Sequence, residues 1–169
     1  MLAASGTSQD AIARGGRTVW FSVEVEQATG LDPDVVAAQV ESSLYDERSW
    51  ARDHELQRVA PGGARIHLVI ATPATVDTIC RRAGLDTAGW LSCWSGSTAA
   101  INLDRWNLGV PHFDDLDGYR RYVVNHEVGH GLGYGHVECP GTGRIAPLMQ
   151  QQTKSLSGCV ANEWPFPDA

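Results

Sequence analysis

His126-Glu127-Val128-Gly129-His130-Gly131-Leu132-Gly133-Tyr134-Gly135-His136 is the stretch from which the rest of this 169-residue chain is read. Side chains four apart on an α-helix lie one above the other on one face, so His126 and His130 can aim two ring nitrogens at one metal ion. Glu127 stands one position on, at the side of that face. There its carboxylate can reach a water on the metal without being a ligand. Gly133, just beyond the helix, can take a left-handed conformation that ends it and turns His136 back toward the other two imidazoles. Three histidines with one adjacent carboxylate are the donor set of a zinc site that keeps a position open.

Working outward, Asp114 or Asp115 can cap the helix that carries these ligands, and Tyr119, Tyr122 and Val123 lie on its way to His126. Upstream, β-branched and aromatic residues predict strands over 17–26, 54–59 and 65–72, and two more over 90–94 and 99–103, joined by the small polar connection Ser95-Gly96-Ser97-Thr98. Asp32 and Pro33 start a helix whose largely apolar stripe, Val35, Val36, Val40 and Leu44, ends near Tyr45. Another helix runs from Pro73 to about Ala83, where Gly84 stops it. The tail from Cys139 holds Pro140, Gly141, Gly143, Pro147, Pro165 and Pro167 and reads as loop with at most a short helical turn. The expected fold is thus α/β (α+β), a twisted mixed sheet of about five strands with a backing helix and the metal-site helix.

A chain of this length without internal repeats fits one domain, placed at 17–169, with residues 1–16 as a flexible leader rich in Ala, Ser, Gly and Thr. Net charge is −7, from 13 Lys plus Arg against 20 Asp plus Glu, which disfavours nucleic acid and anionic membrane as partners. Apolar runs such as residues 66–71 fall well short of the roughly 20 residues of a spanning helix. Cys80, Cys93, Cys139 and Cys159 form an even set without a C-x-x-C pair, which suits two disulfides and an extracytoplasmic location better than a cysteine metal cluster. Three pairings are open; Cys80 with Cys93 and Cys139 with Cys159 is favoured because each neighbouring pair brackets one local feature.

His126, Glu127, His130, Gly133 and His136 resemble the H-E-x-x-H-x-x-G-x-x-H signature of the metzincin zinc peptidases at all five positions. Met149, thirteen residues after His136, looks like the Met-turn methionine of that family, an apolar floor beneath the metal. The order of elements before the motif also looks metzincin-like, with the Pro73 helix as an insertion before the edge strand. The tail, including Met149-Gln150-Gln151-Gln152-Thr153, is similar to small actinobacterial extracytoplasmic domains with the same motif. The resemblance implies a Zn²⁺ cofactor on His126, His130 and His136, Glu127 as general base, peptide-bond hydrolysis and a protein or peptide substrate lying extended beside residues 90–94. It also implies a minimal, loop-rich C-terminal subdomain. A monomer is expected. Several metzincins carry a tyrosine two residues after the methionine, and here that position is Gln151. A zinc-stabilised binding module and an amidase or peptidase acting on cell-wall crosslinks are the alternatives.

Other residues receive plainer readings. Tyr134 packs or faces solvent, with a phenol donating to an oxyanion as the sharper alternative. His112, Asp114 and Asp115 serve capping and solvation, with a calcium-like cluster as the alternative. His54 and His67 sit in strands and read as structural, and most of the six tryptophans fall in or beside predicted elements and read as aromatic core in place of a carbohydrate platform.

Overall fold

The computed structural model describes residues 1–8 and 17–169, and the chain enters its sheet at once. Strand β1 (Leu2–Ala4) pairs antiparallel with β2 (Arg17–Glu26), Leu2 opposite Glu26 and Ala4 opposite Glu24. The leader expected over residues 1–16 is corrected at its start. A three-residue strand in an Ala/Ser/Gly segment has no alternation to announce it; it forms because an open strand edge offers backbone partners. Residues 9–16 lie outside the described residues.

Asp32 Oδ1 accepts from Asp34 N at 2.9 Å and Pro33 takes the first helical position, which starts α1 (Pro33–Leu44). Next come β3 (His54–Arg58), β4 (Ile66–Ala71) and α2 (Pro73–Arg81). Then β5 (Cys93–Ser95) and β6 (Thr98–Asn102) form the expected hairpin. Strand β5 is shorter than the anticipated 90–94, because Trp90 N and Leu91 N donate to Thr87 O in a turn. Helix α3 (Leu103–Leu108) was not anticipated. Asn102, at the end of β6, caps it by accepting from Asp104 N at 2.9 Å. Helix α4 (Leu116–Gly131) carries the histidine motif, with the Asp115 side chain accepting from Gly118 N at its start.

The sheet has six strands in the order β1-β2-β4-β6-β5, with β3 also on β2. Phe21 lies opposite both Arg58 and Ile66, so β3 and β1 share one edge of β2 and β4 takes the other. Pairing is parallel for β2–β3, β2–β4 and β4–β6. Strands buried on both faces lose strict alternation, and the sheet carries helices on both sides. Val19, Phe21, Val23, Leu68 and Ile70 pack with α1 and α4 through Val36, Val40, Leu44, Tyr122 and Val128. Val69, Ala71 and Ala100 face Val76 and Cys80 of α2.

Beyond Gly131 the described chain has no helix or strand of length, only the bridge Ile145↔Val160. Two disulfides are present, Cys80–Cys93 and Cys139–Cys159, the favoured pairing. The tail is also fastened to α4. Glu163 accepts from Arg121 at 2.9 Å, Glu163 O accepts from Asn125 Nδ2 at 3.1 Å, and the Arg48 guanidinium lies 4.3 Å over Trp164. With so little secondary structure, the crosslink carries much of this subdomain. A double Cys139→Ala/Cys159→Ala variant should lose about 3 kcal/mol on the chain-entropy model. In calorimetry that is a fall in Tm on the order of 10 °C; an unchanged Tm would mean that the Arg48 and Glu163 contacts hold the tail alone.

Candidate metal centre

Helix α4 ends in a Schellman closure built on Gly133. Gly133 has φ +103°, its N–H donates to His130 O at 3.0 Å, and Tyr134 N donates to Gly129 O at 3.0 Å. The turn sends the chain back so that His136 meets the helix. The ligand-type atoms of His126, His130 and His136 all lie within 4.8 Å of one another.

The same turn orients His130, and the carbonyl before Met149 orients His126. Tyr134 O sits 2.9 Å from His130 Nδ1, and Leu148 O sits 2.9 Å from His126 Nδ1. A carbonyl only accepts, so in both rings Nδ1 carries the proton and Nε2 presents a lone pair to the cleft. Burial pushes His126 down to about 3 and also holds His130 and His136 below the ordinary histidine range. All three are neutral at pH 7, as metal ligands must be. His130 Nε2 and His136 Nε2 are 3.1 Å apart. A tetrahedral ion with metal–nitrogen bonds of about 2.0–2.1 Å needs its nitrogens about 3.3 Å apart, close to this pair, and the ligand atoms of all three histidines lie near enough together to hold a metal ion.

Glu127 is 4% exposed, and its Oε2 is buried with no hydrogen-bond partner among the described residues. Burial alone pushes its carboxyl up to about 8. An orphaned buried carboxylate oxygen costs stability unless something occupies the space before it. Glu127 lines a cleft of about 250 Å³ together with the three histidines, Leu85, Leu91, Trp94, Gln151 and Lys154, among others.

The family model described as a protein of unknown function (DUF3152) matches residues 3–167. The chain belongs to that family. No curated protein and no solved structure matches it.

In this DUF3152 domain Met149 makes two contacts with the segments that carry the histidines. A Cβ placed on Gly129 would stand 2.6 Å from Met149 Sδ and 3.0 Å from Trp50 Cζ2, so the methionine lies directly against the bare helix backbone. Its carbonyl accepts from Val137 N at 3.2 Å, holding the chain next to His136. Gly131 makes a second close approach, on the sheet side: a Cβ there would stand 2.8 Å from Ile66 Cδ1 and from Trp94 Cη2. Gly129→Ala gains about 1 kcal/mol of helix propensity against an overpacking cost of about 1–3 kcal/mol. Because the displaced methionine adjoins Leu148 O and holds Val137, metal affinity should fall by about ten-fold in a competition titration. Unchanged affinity would show that Met149 does not orient the ligands.

Asn125, just before the first histidine, is buried and ties the helix to two other segments. Its Oδ1 accepts from Ser49 Oγ at 2.7 Å, its carbonyl accepts from Trp50 Nε1 at 2.9 Å, and its amide reaches Glu163 O. Sequence reasoning missed this network, the carbonyls of Tyr134 and Leu148, and the cleft wall from the loop at 85–92, whose one advance signal was its bracketing by Cys80 and Cys93. Tyr134 contributes its carbonyl while its ring stacks on Trp50 with centroids 4.8 Å apart. His112 bonds Gln152 O and Asp115 caps α4, and among the described residues the three histidines are the group able to hold a metal. His67 shares hydrogen bonds with Ser22 and Glu24 across β2 and β4. Trp50, Trp106 and Trp164 are buried, whereas Trp20 and Trp90 are exposed.

Proposed function

We propose that this chain is a zinc-dependent metallopeptidase, a hydrolase of peptide bonds with Glu127 as general base. The observation that carries this reading is the buried, unpartnered Oε2 of Glu127 beside three convergent imidazoles. A zinc site serving stability alone closes its fourth position with a protein ligand and has no use for such a carboxylate. Zinc held by His126, His130 and His136 would supply a Lewis acid that polarises a carbonyl and acidifies water to a pKa of about 7.

The chain's own residues account for the rest. Glu127 lines the same cleft as the three histidines, so its carboxylate takes the proton of the attacking water and passes it to the leaving amine. Trp94 and Cys93 of β5 line the cleft, and β5 pairs with β6 alone among the described residues. An extended substrate laid along that open edge gains main-chain hydrogen bonds. Similarity to the metzincins, with Gly133 as motif turn and Met149 as Met-turn, supports the same chemistry. Gln151 supplies no phenol where several of those peptidases have one. The two disulfides favour an extracytoplasmic place of action, and no described helix is long and apolar enough to cross a membrane.

Incubating the zinc-loaded protein with unfolded protein, short peptides and peptidoglycan fragments tests the proposal. Peptide cleavage that a chelator stops and zinc restores is the expected result. Cleavage confined to wall fragments would replace the general peptidase with an enzyme of cell-wall crosslinks. A chain that binds zinc and cleaves none of them would be a metal-stabilised binding module.

A further inference from the structure

Lys154 is the sole lysine of a chain whose net charge is −7, and it lines the same cleft as the three histidines. Arg48, Arg58, Arg120 and Arg121 are each committed to a carboxylate. Lys154 has no carboxylate in a salt bridge among the described residues; its Nζ donates to Gln151 Oε1 at 3.2 Å. An ammonium only donates, so the oxygen of Gln151 faces Lys154 and the amide NH₂ is left to donate elsewhere. One Nζ and one amide NH₂ match the two oxygens of a carboxylate.

The backbone beneath this pair is held from several sides. Tyr122 donates its hydroxyl to Gln150 O at 3.0 Å and accepts from Gln152 N at 2.8 Å, and Tyr119 shares a hydrogen bond with Thr153 Oγ1 at 3.0 Å. Gln150 Nε2 donates to Leu156 O at 2.8 Å, and Lys154 N closes the turn onto Gln151 O at 3.0 Å. A long, exposed side chain is therefore presented from a fixed backbone, so that engaging a partner costs side-chain but little backbone entropy. The field of an acidic protein repels acidic ligands at a distance, and this cation makes a local exception beside the candidate metal. The loop wall contributes Asp86 to the same cleft, so its charge has a direction.

We propose that Lys154 and Gln151 form a subsite for a carboxylate of the substrate. The claim rests on the peptidase reading of the adjoining centre. The substrate class narrows to peptides with an acidic side chain or a free C-terminal carboxylate near the scissile bond.

The test uses two sets of matched peptides, one differing as internal Glu against Gln, the other as free carboxylate against C-terminal amide. The wild-type protein should prefer the carboxylate member of at least one set by about three- to five-fold in kcat/KM, through KM, as suits a partly exposed ion pair. The set that shows the preference identifies the source of the carboxylate. The ratio should shrink with added salt, fall to about one in Lys154→Met, survive in Lys154→Arg and invert in Lys154→Glu. The same peptides titrated calorimetrically into the zinc-loaded Glu127→Gln protein give a readout independent of turnover. A preference equal in wild type and Lys154→Met, or absent in both sets, overturns the subsite. Lys154-dependent binding without any cleavage would uphold the subsite and remove the peptidase reading, and cleavage indifferent to the carboxylate would do the reverse.

Discussion

Glu127→Gln is expected to keep one zinc per chain and to lose about 10²- to 10⁴-fold in peptide hydrolysis, the span that a positioned acid–base group contributes. Gln has the shape of Glu but cannot take a proton, and Glu127 is not among the three side chains whose ligand atoms converge. Elemental analysis with a fluorogenic peptide assay reads both halves. A variant that cleaves at the wild-type rate removes Glu127 as the base; one that loses the metal makes it a ligand.

The same variant has a pH signature in metal-free protein. Burial raises the folded-state pKa of Glu127 to about 8 from an ordinary value of 4.5. A group raised on folding contributes stability that is complete below its unfolded pKa and is lost as pH rises through the folded one. Wild-type stability should therefore decline relative to Glu127→Gln from about pH 4.5 up to about pH 8, and urea midpoints taken with chelator present will show it. Parallel midpoints over that range would mean that Glu127 is hydrated in solution.

Removing a histidine ligand should abolish stoichiometric zinc, beyond the ten- to hundred-fold that loss of an outer partner costs, but the three positions differ in what else they lose. His126 is 5% exposed and its Nδ1–H satisfies Leu148 O, whereas His136 is exposed. His126→Ala leaves a buried carbonyl unpaired and a cavity where the ring was, a cost of about 1–3 kcal/mol for the carbonyl alone. His136→Ala should lose the metal with little effect on metal-free stability. Thermal melts with and without zinc separate the two effects, since zinc raises Tm only in a protein that binds it. Equal metal-free Tm values for the two variants would show that His126 is not part of the core.

The element pattern was largely readable because periodicity and capping are local. Pro33 after Asp32, Gly84 after the apolar face of α2 and Asp115 before Leu116 mark helix ends within a few residues of the observed ones. The short elements were not readable. Strand β1 and helix α3 have three and six residues, too few for a period to emerge, and each exists because of a distant partner or a single cap.

The metal centre divides along the same line. Identity and spacing within His126 to His136 name the ligands, the base and the turn, since helical geometry and the freedom of glycine act over four to ten residues. Which nitrogen of His126 faces the cleft follows from Leu148 O, and the need for glycine at 129 and 131 follows from Met149, Trp50, Ile66 and Trp94. Those contacts join segments that are far apart in the chain, as does the meeting of Lys154 with the histidines in one cleft. Local chemistry is written in order along the chain, whereas burial, ring orientation and the walls of the cleft arise only when the sheet, α4 and the disulfide-held tail pack together.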